Sequence, residues 1–160
     1  MMDLIRRLLA GDAPADAAPA ADAAAPAPDA AERRLRVATC ALLLEMAHAD
    51  AEFSAAERAR IEAILSERFG LGPSAAHALM EEAEARRRDA VDLHGFTSVL
   101  TSHYDEQGRF EVARQLWRVV DADGDLSRHE DYLLRRLAAL LDLRPGLLAE
   151  ARRAARDGAR

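Results

Sequence analysis

Two short segments of this chain are nearly the same and occupy the same place in a larger pattern. Ala49 to Glu57 reads ADAEFSAAE, and Ala122 to Glu130 reads ADGDLSRHE. Each has an aspartate (Asp50, Asp123), an acid two residues on (Glu52, Asp125), an apolar residue (Phe53, Leu126) and then Ser-x-x-Glu (Ser54 and Glu57, Ser127 and Glu130). Apolar residues recur with helical spacing on both sides of each copy. A helix–acidic turn–helix unit is therefore built twice, and such a repeat sets the architecture before any single residue does. The echo runs further: Leu71-Gly72-Pro73 returns, with a one-residue slip, as Leu143-Arg144-Pro145.

From Glu32 onward the periodicity is helical throughout. Leu35, Ala38, Leu42 and Met46 mark a first helix ending near His48. Ser54 starts a second, with Ile61, Ile64, Leu65 and Phe69 on one face, closed by Gly70 and Gly72. Pro73 suits the first turn of a third, whose Arg86–Arg88 end opposes the helix dipole. Asp92 is placed to cap a fourth, Asp105 or Glu106 opens a fifth, Ser127 caps a sixth, and Pro145 opens a last. No stretch alternates with period two, so no strand is expected. The fold class is all-α: two pseudo-repeated helix–acidic turn–helix units in a bundle of about seven helices. The repeat also predicts that both acidic turns lie on one side of the molecule.

The domain occupies residues 32–157. Before it, residues 11–31 are almost entirely Ala, Pro and Asp, with nothing large to bury, and read as a disordered linker. Residues 1–10 carry Leu4, Ile5, Leu8 and Leu9 beside Arg6 and Arg7, a short amphipathic helix able at most to touch a membrane surface or a partner peripherally.

Composition narrows the function classes. The 160 residues carry a formal net charge of −6, and the 22 basic residues are all arginine. An acid surplus argues against nucleic acid as a partner. Cys40 is the single cysteine, set on an apolar helical run, and reads as a buried, inert thiol. No apolar run is long enough to span a bilayer, and the N-terminal apolar core is too short for a secretion signal. A cytoplasmic protein is the expectation.

Capping explains part of the acidic turns. In Ser-x-x-Glu the hydroxyl accepts from the N3 amide and the carboxylate reaches back to the Ser amide. Capping leaves Glu52 and Asp125 unexplained, as well as the nearby Glu45 and Asp121. Asp50 and Asp123 follow helix C-termini, where the dipole disfavours negative charge. A bound divalent cation, calcium first, would compensate such a cluster, and the N-terminus of the next helix is the other compensation. One turn supplies too few oxygens for a hard cation, whereas two turns brought together supply more. A solvated, metal-free acidic surface fits the same residues.

The second turn is not an EF-hand, because Leu126 stands at the required glycine and Tyr132 at the required bidentate glutamate. Glu45-x-x-His48 has di-iron ligand spacing, but its counterparts, Arg118 and Asp121, do not repeat it. His77, His94, His103 and His129 show no ligand spacing. No nucleophile–base arrangement or phosphate-cradling loop is present, so no enzyme is expected.

The stretches LLLEMAHADAEFSAAE (Leu42–Glu57), ERFGLGP (Glu67–Pro73) and LWRVVDADGDLSRHEDYLLRRLAALLDL (Leu116–Leu143) resemble the TerB-like family, named for a bacterial tellurite-resistance protein and related to the N-terminal domain of DjlA-type co-chaperones. The resemblance implies a helical fold of two related units. It also implies a surface acidic cluster for divalent cations, carried here by Asp50, Glu52, Glu57, Asp123, Asp125 and Glu130, with Glu45 and Asp121 as further candidates. One departure is Ala51 where the second copy has Gly124. The His-Pro-Asp tripeptide of a co-chaperone's J-domain is missing. The implied function is that of a non-enzymatic, stress-associated binding module. The alternative is a co-chaperone-like interaction module whose acidic face docks a protein partner without metal.

Overall fold

The computed structural model describes residues 28–158 apart from residues 51 and 123. The expected helix at residues 1–10, most of the expected linker and Asp123 therefore lie outside the described residues. Among the described residues seven helices follow in order: α1 (Ala30–Ala47), α2 (Ala55–Phe69), α3 (Pro73–Asp89), α4 (His94–His103), α5 (Glu106–Val120), α6 (Arg128–Leu140) and α7 (Leu147–Asp157). Among the described residues there is no strand.

Local chemistry sets most helix ends. Asp29 accepts from the Glu32 amide at 2.8 Å, which starts α1 at Ala30, two residues before the expected boundary. Gly70 closes α2 in the left-handed region at φ 65°, where a Cβ would be strained. Pro73 opens α3 as its periodicity predicts. Asp105 caps α5 through the Gly108 amide at 2.9 Å. Two expectations shift. Asp92 binds the His94 amide from just outside α4, and the cap position is Leu93. Pro145 sits in the turn ahead of α7; the chain bends again at Gly146, φ 92°, so the helix begins only at Leu147.

The two halves pack alike. Each lays its first helix against its third, α1 on α3 and α5 on α7, and the halves join where α1 meets α5. The bridging helix α4 rests on α1 and reaches α6. Helix α1 is central: every residue from Ala38 to Leu44 is buried. Thr39 turns its hydroxyl onto the Leu35 carbonyl at 2.9 Å. Burial, reinforced by the Glu84 charge, pushes the Cys40 thiol far above its ordinary value, so it stays protonated and inert. In the second half the Trp117 indole N–H donates to the Leu148 carbonyl at 2.9 Å, tying α5 to the start of α7. Among the described residues no helix is long and apolar enough to cross a membrane.

Both Ser-x-x-Glu segments form complete capping boxes. Removing one serine hydroxyl should leave the N3 amide of that helix start without its acceptor. Ser127→Ala is expected to cost about 1 kcal/mol in chemical denaturation with an unchanged m-value.

Candidate functional site

The first acidic turn joins α1 to α2 and the second joins α5 to α6. In the first, Ser54 Oγ accepts from the Glu57 amide at 3.0 Å and Glu57 Oε2 accepts from the Ser54 amide at 3.2 Å. In the second, the corresponding distances are 3.1 Å and 2.9 Å, from Ser127 and Glu130. Phe53 and Leu126 pack against the core and pin each turn to the body. Capping glutamates ordinarily face water, but these are buried: Glu57 is 2% exposed and Glu130 3%. Glu52 and Asp125 are exposed, and Asp50 is half-buried.

The turns meet. The Asp50 carboxylate of the first lies within hydrogen-bonding reach of the Glu130 side chain of the second. One Glu130 oxygen is occupied by the Ser127 amide, so the carboxyl bridges its own helix start and the opposite turn. Its pKa lies above the ordinary 4.5. Burial is the largest cause; hydrogen bonds from Ser127 oppose it, and the facing Asp50 carboxylate reinforces it.

A carboxyl with a raised folded-state pKa contributes stability that is fully present below its unfolded value and lost as pH rises through the folded one. Glu130→Gln keeps the capping box and removes this titration. The variant is expected to be more stable than the parent at neutral pH, with the difference closing as pH falls toward 4.5. Denaturant melts across that range check it; a difference that does not change with pH would mean that folding does not raise the Glu130 pKa. Glu67 and Glu84, held low by the side-chain hydrogen bonds of Arg118 and Arg87, push the pH dependence the other way, but equally in both proteins.

Arginine is abundant, yet it goes elsewhere. Glu45 pairs with Arg87 at 3.0 Å, Glu84 with Arg87 at 2.9 Å and Glu67 with Arg118 at 2.7 Å. Asp121 has Arg152 and Arg156 each at 3.8 Å, and its buried Oδ2 makes no hydrogen bond. Among the described residues, no arginine or histidine forms an ion pair with Asp50, Glu52, Asp125 or Glu130. Glu45 and Asp121 are thus engaged with cations of α3 and α7, whereas four of the turn acids face no protein cation.

The repeat inverts its charges here. Glu45 and His48 in the first half bind Arg87 and Glu84 of α3, with His48 Nε2 3.5 Å from Glu84. Their counterparts, Arg118 and Asp121, bind Glu67 of α2 and the arginines of α7. The His48 ring also packs against Phe53, centroids 4.7 Å apart and the planes tilted by 44°. Burial is the main reason its pKa falls below 6.5, so it is a neutral polar neighbour of the first turn at neutral pH. This network escapes sequence reasoning because α3 and α7 carry no motif; the Arg86–Arg88 run is its only trace.

The structure brings together Asp50 and Glu130 and exposes Glu52 and Asp125 beside them. Among the described residues, no three His, Cys, Asp or Glu side chains converge closely enough to hold a metal ion. Asp123, the repeat counterpart of Asp50, lies outside that description. The donor set is all carboxylate, which suits a hard divalent cation and not zinc or copper.

Compared with known families, residues 36–153 match the tellurite resistance protein TerB family. The chain belongs to the TerB family. The match covers both repeats and both turns, and the all-helical bundle agrees with it. Neither the curated proteins nor the solved structures searched yield a match.

Proposed function

We propose that this TerB-family chain is a non-enzymatic binding module that takes a divalent cation, calcium first, between its two acidic turns, in a tellurite-resistance or related stress response. The observation that carries the reading is the contact of Asp50 with Glu130 across the repeat. Two carboxyls from different turns face each other and, among the described residues, neither forms an ion pair with a protein cation, in a chain whose half-buried Glu45 and Glu84 both pair with Arg87. A cation supplied from solution is the natural partner of such a pair. Asp50 and Glu130 would bind from the interface, Glu52 and Asp125 from the exposed rim. Glu57 and Asp123 would complete the set by repeat equivalence. Family membership supports the stress association.

Titration calorimetry with calcium, magnesium and manganese tests the reading. It expects calcium to bind with a stoichiometry near one, and Asp50→Asn to weaken binding at least tenfold. Silence of all three cations would refute the cation site. It would promote the exposed Glu52 and Asp125 as a docking face for an arginine-rich protein partner.

A further inference from the structure

A second site lies on the side of α1 that faces α3 and α4. There a groove of about 540 Å³ runs beside the start of α1. Its floor is apolar: Val37, Phe96 and Val99 are half-buried and packed against the core. Glu82 is the acid in its lining, and Arg33 takes both its oxygens at 3.1 Å. Arg34 and Arg86 stand at the rim, exposed, with no ion pair or hydrogen bond among the described residues. The groove is thus cationic on a protein of net charge −6.

We infer that this groove binds a small anionic amphiphile, a carboxylate head on an unbranched alkyl tail, with the head between Arg34 and Arg86 and the tail along Val37, Phe96 and Val99. Each half of the ligand answers an observed feature. Guanidinium groups meet a carboxylate in a planar, charge-assisted fork, so the rim selects an anion. Exposed ion pairs bind weakly on their own, so acetate or phosphate would not be held. The floor supplies the remainder by taking methylenes out of water, and the volume falls in the range of small-molecule sites. The groove shares no residue with the acidic turns, so its fate is independent of the cation reading.

Calorimetry on the full chain with sodium octanoate, sodium decanoate, decanol and acetate tests the inference. Decanoate is expected to bind about tenfold more tightly than octanoate, from two added methylenes. It is expected to exceed decanol by about tenfold, from the charged hydrogen bonds, and acetate should give no signal. R34Q/R86Q should lose at least tenfold for decanoate, and R60Q, remote from the groove, should lose nothing. Both rim residues are exposed, so the double variant should fold, as circular dichroism will show. Equal affinity for decanol and decanoate, or undiminished binding by R34Q/R86Q, would overturn the assignment. Decanoate binding that emerges only after D12N/D16N/D22N would give the groove to the chain's own acidic tract, and would overturn it too. So would binding to phosphatidylglycerol vesicles without binding to soluble decanoate.

Discussion

Leu42→Ala should destabilise the domain by about 3 kcal/mol and lower its Tm by roughly 10 °C, as read by calorimetric or circular-dichroism melts. Leu42 is 0% exposed and lies at the middle of the run of α1 that is buried on every face. Helices α2, α3, α4 and α5 all pack on α1, so the hole left by the lost Cγ and two methyl carbons has walls on several sides. Helices held from several directions cannot all move in together, and the cavity cost adds to the lost transfer energy. Val91 gives the contrast. It is fully exposed, and Val91→Ala should change stability by less than about 0.5 kcal/mol. If Leu42→Ala cost no more than Val91→Ala, α1 would not be the centre of the bundle.

That centrality shows how unevenly sequence discloses structure. Ser54, Glu57, Ser127 and Glu130 announce their capping boxes because every atom of the motif lies within one turn of chain. Gly70 and Pro73 are legible for the same local reason. The start of α1 is misplaced by two residues because Ala30 and Ala31 look like the tract before them, and only the Asp29 side chain tells them apart. Pro145 misleads because the glycine after it adds a left-handed bend before the helix can begin. The candidate site divides on the same line. Its residues are visible as a repeated pattern, whereas their sorting depends on partners far along the chain. Glu45 is taken by Arg87 and Asp121 lies by Arg152 and Arg156, so neither faces the turns alone. Asp50 reaches Glu130 across eighty residues of sequence, a contact that no spacing rule contains.

If the turns hold calcium, saturating calcium should raise the Tm of the parent by roughly 10 °C. A ligand bound only by the folded state, at a hundred times its Kd, adds about 2.7 kcal/mol, and a domain of this size gains about 4 °C per kcal/mol. Asp50→Asn with Asp123→Asn should abolish the shift. The same double variant tells two explanations of the acidic turns apart in the absence of metal. Where the acids are cation ligands, they are gathered at a cost: Glu130, buried and facing Asp50, already binds its proton more tightly than a free carboxyl. Removing the Asp50 charge relieves that cost, while the Ser54 and Ser127 caps remain. The metal-free variant should therefore be as stable as the parent or slightly more so. Where the aspartates serve the turns themselves, the outcome reverses: the parent ignores calcium and the variant loses stability from altered turns. The two explanations thus differ in sign without metal as well as in response with it. A parent that does not shift with calcium, magnesium or manganese, paired with a destabilised variant, would reduce the acidic turns to caps and surface charge.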